Sequence, residues 1–334
     1  MRSARPTPRI AQTASSSGSH LHLNPTKVRT VRTDAPTWTI SGGSWFTPTM
    51  LLARVARRGN SWFLLWSEGH LDAAYHASGI VGAARKVVHQ RYDGFAAPNE
   101  RPASFLRMQT GHTSLVLRLP NTVDEETFKH AAKNRRELDL ASEGQQPRTL
   151  LLVSRLQNRK RVHETVAAFR RLPQHSRQQV RLVIAGEGPE RAALVSSTQF
   201  EPNIKLAGQL STDQITKLYG EVDGFILLSR RDPNPLSAIE AAFASLPLLL
   251  SHEVGNSEEL VEAGRNGWVI DANDPGQVDQ ALQEFFTVSD TELRHMGDAS
   301  LRIAERSFSR QEVAASFLSQ LIETFPPKRA VSND

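Results

Sequence analysis

The residues best suited to chemistry follow apolar runs in the second half of the chain, each of which is typical of a buried strand. The run "TLLLVS" is followed by "RLQNRKR", which places Arg155 and Lys160 among four cations directly after a strand. The run "VRLVIA" is followed by "GEGPE", in which Gly186 and Gly188 permit close approach of the backbone to a ligand. A guanidinium and an ammonium beside such a turn suit a ligand that carries negative charge.

A helix start follows a third run, "DGFILLS". Asn234 is predicted as the N-cap and Pro235 as the first helical residue, because the missing N–H of proline needs no partner there. The free amides of Leu236 and Ser237, together with the positive end of the helix dipole, would suit a phosphate. Glu240, one turn further on, would then reach a ribose diol. For this segment alone, an ordinary capped helix is the alternative.

The elements that carry these residues alternate between short apolar runs and helical periodicity in both halves of the chain. This alternation predicts an α/β protein with parallel sheets covered by helices on both faces. Ligands bind such sheets at the carboxyl ends of the strands, so the glycine turn, the two cations and the helix start predict one diphosphate site. The chain has neither a G-x-x-x-x-G-K-[ST] loop nor a G-x-G-x-x-G turn.

With 334 residues, the chain is long enough for two domains of ordinary size. The start of the chain is poor in acids and rich in Arg and Ser, which predicts a disordered basic tail. A polar stretch after the first α/β segment predicts a linker. The predicted organisation is a tail at 1–35, a first α/β domain at 36–133, a linker at 134–148, a second α/β domain at 149–308 and a C-terminal helix at 309–325 that crosses back to the first domain.

Composition narrows the classes of function. The chain has no cysteine, which excludes disulfides, thiolate nucleophiles and cysteine-ligated metals and makes the cytoplasm the default location. No Asp-x-Asp and no His cluster is recognisable, so no metal site is predicted. The net charge of +5 favours an acidic partner such as a nucleotide, an anionic lipid surface or nucleic acid. The amphipathic segment 46–58 has the pattern of a helix at a membrane surface, although a helix that covers a sheet has the same pattern.

The motifs of the second half, taken in order, resemble the family 4 glycosyltransferases of the GT-B fold. They cover residues from about 149 to 287 and read "SRLQNRKR", "AGEGPE", "IKLAG", "VDGFILLSRRDPNPLSAIEAA", "LPLLLS", "VGNSEEL" and "RNGWVI". The first half resembles the same family less closely, in "SWFLLWSEGHL" and "VLRLPNTVDEETF". The resemblance implies two Rossmann-like domains with parallel sheets facing across a cleft. The N-terminal domain is expected to be incomplete, since a strand and a glycine-rich loop expected before Thr37 are not found.

The resemblance also implies roles for the residues named above. Arg155 and Lys160 match the diphosphate-binding Arg and Lys of the family, and Glu240 matches the acid that binds the ribose hydroxyls. Leu236 and Ser237 fall where backbone amides meet the diphosphate. The nucleobase is expected near the third strand of this half, at about 208–210, where main-chain groups would hold it.

Catalytic roles are implied for Asp232 and Glu240. Asp232 stands where the family has a glutamate that holds the hydroxyls of the donor sugar, and it is shorter by one methylene. A histidine of the N-terminal domain often lines the cleft in this family, and His70 is the nearest candidate. A histidine on a surface loop is the alternative explanation for His70.

The implied reaction moves a hexosyl group from a nucleotide-diphosphate sugar, of UDP or GDP type, to a hydroxyl of a saccharide or lipid-linked glycan. The reaction would retain the anomeric configuration, need no metal and no cofactor, and serve polysaccharide biosynthesis in the cytoplasm or at the inner face of the membrane. One alternative is a nucleotide-sugar-binding protein without turnover, because the N-terminal domain is incomplete. Another is nucleic-acid binding through the basic tail and Lys133, Arg135 and Arg136, which the low aromatic content of 7% disfavours.

Overall fold

The computed structural model describes residues 38–42, 61–69, 79–111, 114–141 and 147–327. The chain divides into two units, one formed by residues 1–120 with 314–334 and the other by residues 121–313. The predicted disordered tail, the amphipathic segment 46–58 and His70 lie outside the described residues. In the part of the chain that is described, no helix has the length and apolar character needed to cross a membrane.

The first unit contains a parallel sheet of four strands in the order β1-β2-β3-β4. Its described elements are β1 Trp38–Gly42, β2 Trp62–Trp66, α1 Gly79–His89, β3 Gly94–Ala97, α2 Glu100–Thr110 and β4 Val116–Arg118. Successive side chains of a strand point to opposite faces, and β2 shows this directly. Phe63 and Leu65 pack with Tyr92 and Phe95 in one apolar cluster, whereas Leu64 packs in another.

The end of the chain completes this second cluster. The last helix, α12, spans Arg310–Thr324, and its residues from 314 onward belong to the first unit. Phe317, Leu321 and Phe325 pack against the face of the sheet that carries Leu64. The Trp38 indole N–H donates to the carbonyl oxygen of Phe325 at 2.8 Å. The second half of this helix therefore forms part of the apolar core of the first unit.

The second unit contains a parallel sheet of six strands in the order β10-β9-β8-β5-β6-β7. The strands are β5 Arg148–Val153, β6 Val180–Ala185, β7 Ile204–Gly208, β8 Gly224–Leu227, β9 Leu248–Ser251 and β10 Gly267–Ile270. Both faces are apolar, as a sheet covered on both sides requires: Leu151 belongs to one core cluster, and Leu150 and Leu152 belong to the other. The order of the strands reverses between β5 and β8, which makes this position the topological switch point.

Helices cover this sheet, and the first of them begins earlier in the chain than the start predicted for the second domain. They are α3 Glu125–Ala141, α4 Val162–Arg171, α5 Gln174–Arg177, α6 Arg191–Thr198, α7 Thr212–Tyr219, α8 Leu236–Phe243, α9 Ser257–Leu260, α10 Pro275–Thr287 and α11 Asp290–Phe308. The predicted linker at 134–148 overlaps α3, and the division between the units falls after Pro120 instead. The physical reason is that Phe128 and Ala131 of α3 are buried in the core of the second unit, where Phe128 packs edge-to-face on Tyr219.

Candidate functional site

A cleft of about 820 Å³ lies in the second unit at the carboxyl ends of β5 and β6 and the start of α8. This location is next to the switch point, where parallel sheets bind ligands. The cleft is lined by seven of the residues that the sequence predicts to bind the donor: Arg155, Lys160, Gly186, Gly188, Leu236, Ser237 and Glu240. The structure therefore brings together groups that are up to 85 residues apart in sequence, 155 to 240.

The loops after β5 and β6 are packed together along their backbones. The amide of Leu156 donates to the carbonyl oxygen of Glu187 at 2.8 Å. A Cβ atom added to Gly186, which has φ +137°, would lie 1.9 Å from the carbonyl oxygen of Ser154. A Cβ on Gly188 would lie 2.1 Å from the carbonyl oxygen of Leu156. The glycines are thus required by contact between the two loops, a reason that sequence analysis, which considered only approach to a ligand, did not identify.

Two of the four cations after β5 face the cleft. The side chain of Arg155 is exposed, and no ion pair within the described part of the chain engages it. Lys160 ends a short 3-10 turn, is buried at 7% exposure and also lines the cleft. A free guanidinium and an ammonium on one wall would both attract an anionic ligand.

The other two cations are engaged elsewhere. Arg159 donates through Nη1 to the carbonyl oxygen of Arg231 at 2.6 Å. Arg161 is buried, adopts a left-handed backbone conformation with φ 52°, and donates to the side-chain oxygen of Asn273. Neither residue lines the cleft.

Asp232 contacts Lys160, a residue that lines the cleft. Its carboxylate accepts a hydrogen bond from the Lys160 ammonium, and both residues are buried. The Ser229 hydroxyl donates to the same carboxylate oxygen at 3.4 Å, and Arg159 lies 3.9 Å from the other oxygen. Burial lowers the pKa of Lys160, while the charge of Asp232 acts to raise it. Asp232 does not line the cleft, so a contact between Asp232 and the donor sugar stays a prediction.

Helix α8 begins one residue later than predicted. Pro235, with φ −68° and ψ 118°, is the N-cap, and Leu236 is the first helical residue. The side-chain oxygen of Asn234 instead accepts a hydrogen bond from the Asn256 amide at 3.1 Å, which explains why Asn234 does not cap the helix. A proline side chain contains no hydrogen-bond acceptor, so no side-chain cap engages the amides of Leu236 and Ser237, two residues that line the cleft.

Glu240 is held from behind by Tyr219, the last residue of α7. The Tyr219 side chain is fully buried, and its hydroxyl lies 2.9 Å from a carboxylate oxygen of Glu240 and 3.1 Å from the carbonyl oxygen of Ser237. Burial raises the pKa of Glu240, and the hydrogen bond from Tyr219 opposes that rise. Burial, followed by the charge of Glu240, raises the pKa of Tyr219, so the hydroxyl keeps its proton. The sequence does not indicate a role for Tyr219, because no local pattern connects it to an acid 21 residues away.

The predicted nucleobase region also lies at the cleft. Gln209 and Leu210, which follow β7, line it together with Glu187 and Ile215. The Glu187 carboxylate accepts a hydrogen bond at 2.9 Å from Arg191, the first residue of α6.

A second cluster of polar groups follows β9 and β10. Potential metal-ligand atoms of His252, Glu253 and Asp271 lie within 4.8 Å of one another. The Asn273 amide donates to both carboxylates at 3.1 Å. The sequence predicts no metal site and does not indicate this group, since its members come from two separate loops. None of them lines the cleft.

Residues 135–300 match the family model described as Glycosyl transferases group 1. This part of the chain matches a glycosyl transferases group 1 domain. The matched residues include every residue that lines the cleft, so the group 1 domain contains the whole candidate site.

Curated relatives match about half of the chain or less. The chain is 26% identical over 184 residues to "Putative colanic acid biosynthesis glycosyltransferase WcaL" of Escherichia coli (strain K12). The match covers 52% of this chain and 45% of that relative. The chain therefore spans less than half the length of this relative.

Solved structures resemble a larger part of the chain. Sucrose-phosphate synthase from Thermosynechococcus elongatus has a TM-score of 0.69 at 17% identity and covers 90% of this chain and 77% of its own. Anabaena Alr3699/HepE in complex with UDP and glucose has a TM-score of 0.66 at 16% identity, with coverages of 89% and 80%. These likenesses and the two parallel sheets confirm the predicted fold, an α/β protein of the GT-B type.

Proposed function

We propose that the protein is a glycosyltransferase whose donor is a nucleotide-diphosphate sugar. The observation that carries this proposal is the set of groups around one cleft: the Arg155 guanidinium, the Lys160 ammonium and the open amides of Leu236 and Ser237. All of these groups favour an anion, and they come from two loops that meet beside the switch point. Glu240 lies one turn along α8 from the amides, where a ribose diol attached to the diphosphate would find an acceptor.

The same groups suit the difficult step of glycosyl transfer. When the bond between the sugar and the diphosphate breaks, negative charge develops on the departing phosphate oxygens. Fixed donors at that position stabilise the transition state more than the ground state, and removing one such donor typically costs about 3 to 4 kcal/mol in the barrier. Arg155, Lys160 and the α8 amides would supply this stabilisation.

The comparisons support the general proposal of a glycosyltransferase that uses a nucleotide sugar. The matched family and WcaL are described as glycosyltransferases, and HepE is described in complex with UDP and glucose. We therefore propose a hexosyl donor of UDP or GDP type and an acceptor hydroxyl on a saccharide or lipid-linked glycan. Retention of the anomeric configuration, a reaction without metal and membership of family 4 rest on the motif resemblance. Action in the cytoplasm, at or near the membrane, is part of the same proposal.

A panel of nucleotide sugars tests the proposal. A ligand that binds only the folded protein raises its melting temperature, so at least one UDP- or GDP-sugar should do so. The same sugar should be transferred to a saccharide acceptor. Arg155→Gln should reduce the thermal shift, whereas Arg181→Gln, at an exposed position on β6, should not. If no nucleotide sugar shifts the melting temperature, the proposal is wrong; stabilisation without transfer to any acceptor would favour a binding protein without turnover.

A further inference from the structure

The geometry points to a role for Asp232 that is not contact with the substrate. We propose that Asp232 is a positioning residue, which holds the Lys160 ammonium at the wall of the cleft so that the donor diphosphate can bind it. This inference rests on the proposed function, because it assumes that a diphosphate occupies the cleft.

The first support is the position of the two residues. Lys160 lines the cleft and Asp232 does not, although their side chains are hydrogen-bonded. Of this hydrogen-bonded pair, only Lys160 belongs to the wall of the cleft. A lysine has three N–H donors, so Lys160 can hold the Asp232 carboxylate and still present a donor to a phosphate oxygen.

The second support is that Asp232 is itself fixed. Its carbonyl oxygen accepts a hydrogen bond from the amide of Gly255 at 2.7 Å, and its backbone forms a parallel bridge with Val254. The Ser229 hydroxyl holds one carboxylate oxygen from the end of β8. A short aspartate on a pinned backbone cannot reach far into the cleft, but it can fix the ammonium that reaches it.

The third support is electrostatic. Burial has the largest effect on Lys160 and lowers its pKa. Of the charged groups that act on it, Asp232 raises this pKa and Arg159 lowers it. Without the Asp232 charge, the pKa of Lys160 falls again, and Lys160 becomes neutral at a lower pH. Since only the ammonium attracts a diphosphate strongly, donor affinity should then decrease as the pH rises through that lower value.

The test uses the full-length protein and two probes, UDP and UDP-glucose, or GDP and GDP-mannose if those bind better. Asp232→Asn should reduce the affinity for the nucleotide and for the sugar nucleotide by the same factor, about tenfold, which is typical of a lost charge-assisted contact. The loss should be larger at pH 9 than at pH 6. Asp232→Glu, which keeps the charge, should restore most of the affinity and the pH profile of the wild type.

A double variant separates charge from shape. In Lys160→Arg/Asp232→Asn, the cation stays protonated at every accessible pH, so the extra loss at pH 9 should disappear. If Asp232 instead contacts the donor sugar, Asp232→Asn will reduce the affinity for UDP-glucose and leave the affinity for UDP unchanged. That result would overturn the inference. An unchanged pH profile in Asp232→Asn would overturn it as well.

A measurement without nucleotide keeps this inference distinct from the proposed function. In lysine-labelled protein, the NMR signal of Lys160, assigned by its loss in Lys160→Arg, should titrate at a lower pH in Asp232→Asn than in the wild type. The signal of Lys205, exposed on β7, should not move. Equal midpoints for Lys160 in the two proteins would overturn the inference even if nucleotides bind. A lowered midpoint in a protein that binds no nucleotide would support the pairing and refute the donor site.

Discussion

At the scale of single residues, the chemistry of the cleft depends on side chains that do not touch it. Glu240 lines the cleft, but its carboxylate is held by the buried hydroxyl of Tyr219. Burial raises the pKa of Glu240 and thus favours the neutral acid. The hydrogen bond from Tyr219 favours the carboxylate, the form that accepts hydrogen bonds from both hydroxyls of a ribose.

Tyr219→Phe should therefore weaken nucleotide binding in a pH-dependent way. Without the Tyr219 hydroxyl, the pKa of Glu240 rises further, so the carboxylate is lost at a higher pH as the solution is acidified. We expect the affinity for UDP to fall by about tenfold, the usual cost of a hydrogen bond to a charged group, with a larger loss at pH 5.5 than at pH 8. Isothermal titration at several pH values measures this effect.

Tyr92→Phe, in the first unit, is the matched control and should leave UDP affinity unchanged. Glu240→Gln should weaken binding at all pH values, because it removes the charge altogether. If Tyr219→Phe gives the same affinity ratio to wild type at pH 5.5 and pH 8, Tyr219 does not act through the ionisation of Glu240.

Much of the site at this scale could be predicted from the sequence, because the loops that follow buried strands are recognisable from local patterns. Arg155, Lys160 and Glu240 were expected at one cleft, and the structure places them there. Their partners could not be predicted in this way. Asp232 is hydrogen-bonded to Lys160, 72 residues away in the sequence, and Tyr219 to Glu240, 21 residues away. Such pairs are determined by how strands and helices pack.

At the scale of elements, the start of α8 is the feature that most favours a phosphate. Pro235 caps the helix without a side-chain acceptor, so the first amides have no capping partner of the usual kind. A serine or aspartate at this position would itself accept a hydrogen bond from the amide of Ser237 or of Ala238. The loop thus keeps the positive end of the helix open to a ligand.

Leu236→Pro tests this helix start directly. Proline is tolerated in the first turn of a helix, and the ψ of 118° at Pro235 is compatible with a following proline. The substitution removes one amide N–H and leaves the fold in place. We expect UDP affinity to fall by about tenfold, with little change in the melting temperature of the unliganded protein.

Leu236→Ala is the control, because it truncates an exposed side chain and keeps the amide. Its UDP affinity should stay close to that of the wild type. Equal losses in the alanine and proline variants would show that the side chain, and not the amide, contributes to binding. Thermal unfolding without ligand confirms that each variant is folded.

The close contact between the loops after β5 and β6 can also be tested by substitution. Gly188→Ala places a Cβ atom about 2 Å from a carbonyl oxygen of the neighbouring loop, so the loops must separate. We expect a loss of about 1 to 3 kcal/mol in the free energy of unfolding, as for other overpacked positions, together with weaker UDP binding. Urea unfolding and titration measure the two effects.

Gly264→Ala separates steric clash from backbone strain. Gly264 has φ +75° and open space around its Cα, so alanine there causes strain without a clash. This variant should lose about 1 kcal/mol of stability and keep its UDP affinity. If Gly188→Ala binds UDP as well as Gly264→Ala does, the close approach of the two loops does not shape the site.

The elements themselves were predictable where periodicity is strong. The apolar runs of the second half, such as "TLLLVS" and "DGFILLS", correspond to β5 and β8. The errors fall at polar positions. Asn234 is predicted as an N-cap, but its side chain accepts a hydrogen bond from Asn256. The segment 134–148 is predicted as a linker, but α3 extends to Ala141. In both cases packing against distant residues overrides the local preference.

At the scale of the whole molecule, the chain leaves the first unit after Pro120 and returns to it at Ala314. The candidate site belongs entirely to the intervening segment, residues 121–313. The returning segment completes the apolar core of the first unit through Phe317, Leu321 and Phe325. Stability of the first unit and ligand binding by the second are therefore expected to respond to different substitutions.

Phe325→Ala tests this separation. The ring of Phe325 is 2% exposed, packs edge-on against Trp62 at 5.3 Å between ring centroids, and occupies the space above Gly94. Truncating a buried phenylalanine typically costs about 3 to 5 kcal/mol, so the first unit should unfold at a distinctly lower temperature. The fluorescence of Trp62 and Trp66 would report this unfolding.

The matched control is Phe285→Ala, which removes an equally buried ring from the core of the second unit. UDP stabilises only the unit that binds it, by mass action, so the UDP-dependent transition should be unchanged in Phe325→Ala and lowered in Phe285→Ala. Calorimetry with and without UDP distinguishes the two transitions. If Phe325→Ala lowers the UDP-dependent transition as much as Phe285→Ala does, the two units unfold as one, and the binding site cannot be treated as a property of residues 121–313 alone.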